Sequence, residues 1–430
     1  EILAAVTDER FTRRKHSRDF PLDSIQYCLR HGGIDLDALE CVAFFWNPGL
    51  QLQSLSARRA GTPRHHSEYL WSLPNHLLAH YPSRCEELEV EHVEQRFALK
   101  GADRPLRLVY VSHHLAHAAS AFFVSPFEEA AILTVDGYGE RASAMLGHGR
   151  GERIQALREI RFPHSLGSFY AAITEYLGFR PNCEEGTVMG LAAHGEPRLR
   201  SQLLEIVRLG PDGGFELDLS YFDYYREAKH RYARKFVERF GAERHPDQPL
   251  EDRHRDLAAS AQAVLEEAMV HLARHLREAT GARRLCLAGG VTLNCVANSR
   301  VLEEAGFEDA FIQPAAGDNG SSLGAALYVY HQLLGRPRER AMETDFLGPG
   351  FGNEEIAREL SDRGVAYQRS DDVARLAAER IARGEIVGWF QGRMEFGPRA
   401  LGHRSILADP RREDTKSRLD ARVQRREPFR

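Results

Sequence analysis

The 430-residue chain is short of lysine, tryptophan, methionine and cysteine, and it carries no excess of positive charge. Only five of its 57 basic residues are lysines, at Lys15, Lys100, Lys229, Lys235 and Lys416. Genome composition accounts for that skew, yet each remaining lysine marks a place where a compact ammonium can matter. A formal net charge of −5 argues against general nucleic-acid binding. The six cysteines (Cys28, Cys41, Cys85, Cys183, Cys286, Cys295) form no CxxC pair, which fits small core residues in a reducing cytoplasm. No apolar run reaches about 18 residues, so no transmembrane helix is expected. The opening Glu1–Arg10 has neither the basic start nor the long apolar stretch of a signal peptide. What remains, 43% hydrophobic and 28% charged residues, is the make-up of a soluble globular protein of two or three domains.

Hydrophobic runs and punctuation divide the chain. Strands are expected over residues 1–8, 41–46, 106–111, 130–136, 142–148, 154–161, 284–288, 309–313, 365–368 and 386–390. Helices are expected over 21–30, 165–177, 187–194, 198–209, 252–280, from 292, 321–334, 353–361 and 371–383, with one near 68–79. Residues 9–16 read as a polar loop, 211–250 as an aromatic and charged insertion, and 335–342 as a linker. Strands alternating with helices predict an α/β protein.

The stretch that organises the rest is Ser112-His113-His114-Leu-Ala-His117, directly after the apolar run ending at Val111. If Ser112 caps a helix, His113 and His117 share one face and can hold a metal ion, given an acidic ligand from elsewhere. His114 points about 100° away around the helix. HxxxH alone is a weak signal, and the metalloprotease HExxH pattern is absent, since Leu115 and Ala116 fill the gap. Asp318, in Gly317-Asp-Asn-Gly320, is the best candidate for the missing carboxylate, although alone it reads as a helix cap. Asp136-Gly137 closes an apolar strand, where nucleotide-binding α/β folds place phosphate or metal contacts. Gly289-Gly290 stands between a strand and a helix, suiting an anion or nucleotide. Arg393, Arg399, Arg404 and Ser405 follow another strand among glycine turns, as a phosphate or carboxylate cradle would.

The ordered motifs HHLAHAASAF, TVDGYGE, HSLGSFYAAITEYLGF, VMGLAAHGEP, LAGGVTLNCVANS, PAAGDNGSSLGAAL and GRMEFGPRALGHRSILADPR, with ERFTRRKHSRDFP at the front, resemble one known family. It is that of the O-carbamoyltransferases of antibiotic and nodulation-factor biosynthesis, the NodU/CmcH type. The resemblance implies an actin/Hsp70-like (ASKHA, TsaD-like) N-terminal domain over 1–340. A YrdC-like α/β C-terminal domain over 341–430 would be incomplete. It implies that carbamoyl phosphate yields carbamate, that ATP turns this into carbamoyl adenylate, and that the group passes to a hydroxyl of a small natural-product or sugar acceptor. A divalent ion, iron first and magnesium or manganese as alternatives, would sit on His113, His117 and Asp318. Asp136, Gly137, Gly289, Gly290, Val291, Asn294 and Asn319 would face ATP. Arg393, Arg399, Arg404 and Ser405 would hold carbamoyl phosphate, with Lys15 and Asp136 as catalytic residues. No nucleic acid or membrane partner is expected, and a homodimer is left open.

Departures accompany the match. Family members begin earlier, with a His-Asp-Ser-Ser-Ala-type loop, and continue beyond Arg430, so the chain is expected to be truncated at both ends. Cys183-Glu-Glu-Gly-Thr187 replaces a Glu-Tyr-Lys-type segment, and His403 replaces an asparagine. Two alternatives remain open, a tRNA threonylcarbamoyl-transfer-like protein and a non-catalytic nucleotide-binding actin/Hsp70 relative.

Overall fold

A computed structural model of the chain describes residues 1–15, 17, 19–47, 92–97, 104–226, 228–339, 341–424, 427 and 429. The helix expected near 68–79 lies outside them. The chain forms two compact units: Glu1–Asp35 together with Glu343–Arg430, and Leu36–Met342. The later boundary between them falls at 342/343, and the first 35 residues group with the C-terminal segment.

In the larger unit, β1 (Val42–Phe44), β2 (His92–Phe97) and β3 (Leu106–Val111) make a three-stranded sheet in the order β1-β3-β2. β1 runs parallel to β3, with Phe44 opposite Tyr110, and β2 runs antiparallel to β3. A second, mixed sheet contains β4 (Glu129–Val135), β5 (Ala142–Arg150), β6 (Arg153–Arg161), β9 (Arg284–Ala288) and β10 (Asp309–Ile312). Between β6 and β9, β7 (Val207–Leu209) and β8 (Phe215–Leu217) form a separate ribbon. The mixed sheet runs β10-β9-β4-β5-β6, with β10, β9 and β4 parallel and β4 to β6 an antiparallel meander. Continuous apolar β4 is buried over six of its seven residues, as a central strand covered on both faces must be. Peripheral β6 is buried only at Ile154 and Ile160, as an edge strand with one face on the core can be.

The ten residues of helix His113–Phe122 are all buried, and Leu115, Ala116, Ala118, Ala119, Ala121 and Phe122 join Val109, Ile132, Cys286 and Tyr328 in one apolar cluster. Helix Asp318–Leu327 packs on it closely: a Cβ at Gly324 would lie 1.7 Å from the Ala116 carbonyl oxygen. The long helix Asp252–Thr280 has the expected ends and turns its apolar face inward from Leu257 to Leu276. Among the described residues no helix is long and apolar enough to cross a membrane.

Several expected elements differ. Residues 1–8 form no strand, and the loop expected at 9–16 opens with a short helix, Glu9–Thr12. Ala5 N–H donates to the Leu347 carbonyl, a contact too isolated to build a ladder. The helix expected at 198–209 stops at Leu204, and Val207–Leu209 pairs with Phe215–Leu217 instead. Residues 365–368 are exposed and outside any strand. After Gly289 a 3₁₀ turn precedes a helix that starts at Cys295, where the Asn294 side chain accepts from Ala297 N–H. The helix expected at 321–334 starts at Asp318, and its last part, Tyr328–Leu333, is π-helical.

In the smaller unit, helix Leu22–Gly32 ends at Gly33 with φ 64°, as His31-Gly-Gly33 suggests. Helices Asn353–Asp362 and Val373–Ala382 accompany the hairpin of β11 (Val387–Phe390) and β12 (Arg404–Leu407).

Candidate metal centre

Parallel strands bring their carboxyl ends to one edge of a sheet, where α/β folds bind ligands. Here that edge carries Asp136 after β4, Gly289-Gly290 after β9 and Asp318 after β10. In the neighbouring sheet, β3 leads through Ser112 into His113.

One ligand atom each from His113, His117, Asp136 and Asp318 lies within 4.8 Å of the others. The two imidazole Nε2 atoms are 3.1 Å apart, 3.1 and 3.0 Å from Asp136 Oδ2, and both 3.6 Å from Asp318 Oδ1. The histidines are buried at 1% and 0% exposure, whereas Asp318 is 68% exposed, so the cluster has a dry imidazole floor and an acidic side open to water. Two nitrogens and two carboxylates at this spacing fit a first-row divalent ion, on the chemistry of the donors alone.

The surroundings aim these groups. Asp136 Oδ1 accepts from the N–H groups of Gly137 (2.7 Å) and Gly290 (3.2 Å), which leaves Oδ2 facing the imidazoles. Gly289 has φ 100°, and a Cβ there would lie 2.3 Å from the Val135 carbonyl oxygen, so a side chain would drive this turn off β4. Gly289 N–H also donates to Ala316, tying the turn to the loop before Asp318. Ser321 Oγ sits 3.2 Å from His117 Nδ1, the nitrogen away from the cluster.

Burial pulls the His117 pKa down, but Asp136 and Asp318 outweigh it and push it up to about 9. Burial raises Asp136, and the bonds from His113 and His117 overcome that and hold it well below the usual carboxylate range. His114 is lowered to about 3 by burial and by the two neighbouring histidines. Its Nε2 faces the Ala142 carbonyl at 3.1 Å and its Nδ1 the Thr134 hydroxyl at 2.7 Å, so it serves the core, as helical spacing predicts.

The residues expected to face ATP have mixed placements. Gly137, Gly290 and Asn319 are partly exposed, while Gly289 and Val291 are buried. The Asn294 side chain is committed to Ala297 N–H (3.0 Å) and to the Gln262 amide (2.8 and 3.1 Å). In the smaller unit Arg393 donates to the carbonyls of Gly348 (2.9 Å), Leu3 (3.0 Å) and Leu347, binding backbone segments together. Arg399 and Arg404 are exposed, Ser405 Oγ accepts from Gly402 N–H at 3.0 Å, and Lys15 is exposed.

Four residues carry more than the motifs suggested. Asp136 joins the histidines directly. Glu140, the second acid of Asp136-Gly-Tyr-Gly-Glu140, accepts from His113 N–H at 3.0 Å. Glu395 gathers the N–H groups of Leu401, His403 and Arg404 at 2.8, 2.9 and 3.1 Å. Arg10 has its pKa lowered by burial and then by the charge of Arg404, which places two guanidiniums within each other's field. Ser112 occupies the cap position but makes no side-chain cap bond.

The larger unit is therefore a mixed-sheet α/β body with a metal-type His–Asp cluster at its strand ends. Sequence comparison assigns the family: the carbamoyltransferase N-terminus matches residues 1–327 and the carbamoyltransferase C-terminus residues 378–430. The chain belongs to the carbamoyltransferase family. It is 42% identical over 444 residues to an uncharacterized protein, sll1178, of Synechocystis, covering 100% of this chain and 71% of that one. To nodulation protein NolNO of Sinorhizobium fredii it is 40% identical over 440 residues, covering 100% and 60%. A 3'-hydroxymethylcephem-O-carbamoyltransferase of Streptomyces clavuligerus is 30% identical over 166 residues, covering 39% and 30%. The matches thus span from 30% to 71% of these relatives' lengths.

Proposed function

We propose that this chain is the greater part of an ATP- and metal-dependent O-carbamoyltransferase. The enzyme would move the carbamoyl group of carbamoyl phosphate, via carbamoyl adenylate, to a hydroxyl of a small-molecule acceptor. The observation that carries the metal requirement is the convergence of His113, His117, Asp136 and Asp318 within 4.8 Å, with both imidazoles buried. An ion held there, Fe²⁺ by preference with Mn²⁺ or Mg²⁺ as alternatives, supplies Lewis acidity toward an acyl or phosphate oxygen.

The chain's own residues do the rest. Gly137 and Gly290 N–H groups hold the Asp136 carboxylate in one orientation. Glycine turns at the strand ends let backbone approach a nucleotide closely, and we place ATP against Gly137, Gly289, Gly290, Val291 and Asn319. Asn294 acts at one remove, by capping helix Cys295–Glu304 beside that turn. We assign carbamoyl phosphate binding to Arg399, Arg404 and Ser405, and add Arg10, whose field overlaps that of Arg404. Arg393 shapes that stretch through its carbonyl contacts. The assignment of Lys15 to the carbamoyl group rests on the family motif.

The test is pyrophosphate release by the full-length enzyme given carbamoyl phosphate, ATP and ferrous ion. Release that requires all three, and that His117→Ala abolishes, supports the proposal. No release from any combination overturns it.

A further inference from the structure

We infer that Glu140 is a positioning residue for the metal centre: its carboxylate stands in for a helix cap and fixes His113 against Asp136. The inference rests on the metal reading above and concerns a residue outside the ligand set.

Ser112 makes no side-chain cap bond, so the first N–H groups of helix His113–Phe122 need another acceptor. Glu140 supplies it. His113 N–H donates to Oε1 at 3.0 Å and lies 3.2 Å from Oε2, and Asn47 N–H donates to the same Oε1. The carboxylate is 5% exposed, so little water competes for it. A negative group at a helix N-terminus is also where the backbone dipole favours one.

The bridge to Asn47 gives this cap its bearing on metal binding. It anchors the segment leaving β1 beside the first helical turn. That segment sets the Phe45 carbonyl 3.4 Å from His113 Nδ1 and the Trp46 ring 5.1 Å from the imidazole. A carbonyl at Nδ1 selects the tautomer with its proton there, which leaves the Nε2 lone pair for an ion beside Asp136. The loop must come very close for Glu140 to reach: a Cβ at Gly139 would lie 3.0 Å from His113 Cβ. One carboxylate thus controls both the position and the tautomer of His113.

The experiment titrates Co²⁺ into the wild-type chain and into Glu140→Ala, Glu140→Asp and Glu140→Gln. Calorimetry gives affinity, the visible ligand-field bands give coordination, and thermal unfolding without metal gives stability. Asp372→Ala serves as the control, since it removes a side-chain cap from helix Val373–Ala382 in the other unit. We expect Glu140→Ala to weaken Co²⁺ binding about 10- to 100-fold, the range for residues that orient metal ligands, and to shift the bands. Glu140→Asp, too short to reach both N–H groups, should fall between Glu140→Ala and wild type, and it keeps the test alive if the alanine variant does not fold. Glu140→Gln keeps an oxygen that accepts both N–H groups and should restore the wild-type bands. Asp372→Ala should lower the melting temperature alone. Wild-type affinity and bands in Glu140→Ala or Glu140→Asp would overturn the inference. A wild-type chain that binds no Co²⁺ would instead overturn the metal reading, and this inference with it.

Discussion

The His–Asp cluster and the arginine stretch at 393–405 look alike as sequence, each a dense run of chemically active side chains beside glycines. Their structures differ in what those side chains face. His113 and His117 turn Nε2 toward each other and toward two carboxylates, an arrangement that is hard to maintain without a cation or a shared proton. Arg393 turns its guanidinium to backbone carbonyls, and Glu395 collects three backbone N–H groups. Side chains aimed at one another leave binding capacity open; side chains aimed at backbone have used it. Residue type does not separate these cases, and direction does.

The sharpest way to break the comparison is His117→Ala. It removes a buried imidazole of the proposed metal site, and we expect divalent-metal affinity to fall beyond the roughly 100-fold reached by orienting residues, read by calorimetry. An unchanged affinity would show that the cluster is no different from the arginine stretch.

Next is a pair of substitutions within the arginine stretch. Arg393→Ala should destabilise the smaller unit by about 1.5–3 kcal/mol, the usual worth of a hydrogen bond to a charged group, measured by urea unfolding. Arg404→Ala should leave unfolding within about 0.5 kcal/mol, as exposed positions do, while weakening carbamoyl phosphate binding. If the two changes behave alike, the division between inward and outward arginines fails.

A pH experiment tests the cluster without mutation. In the metal-free chain His117 titrates near 9, above its ordinary value. The stability from its protonated form is therefore present below the ordinary histidine pKa of about 6.5 and lost as pH rises through 9. Metal must displace that proton, so binding at pH 8 should release it and affinity should rise with pH up to about 9. Calorimetry in buffers of different ionisation enthalpy counts the protons; zero released would contradict the assignment.

The smallest expected effect belongs to Ser321→Ala. Ser321 contacts the far nitrogen of His117, and its loss should weaken metal binding by about tenfold, the low end for orienting residues.

How much was legible beforehand follows from range. Leu106–Val111, Arg284–Ala288 and Asp252–Thr280 were readable because an apolar run or a 3.6-residue period needs no distant partner to show itself. Residues 1–8 read as a strand because their pattern says nothing about whether a neighbour exists. In the site, HxxxH marked one helix face, and Asp318 stood out in its glycine loop. That Asp136 would meet the same point depends on β9 and β10 lying parallel beside β4, a tertiary fact. Glu140 was hidden for a related reason: a cap taken from 27 residues away leaves no mark next to Ser112. The inward turn of Arg393 depends on contacts with Leu3 and Gly348, far along the chain.

The central claim is that the four-residue cluster is a metal site. Anomalous diffraction at the manganese edge, from crystals grown with Mn²⁺, tests it most directly. One strong peak is expected, bounded by the Nε2 atoms of His113 and His117 and by the carboxylates of Asp136 and Asp318. A map with no peak at that point, from crystals in which those side chains are ordered, would contradict it.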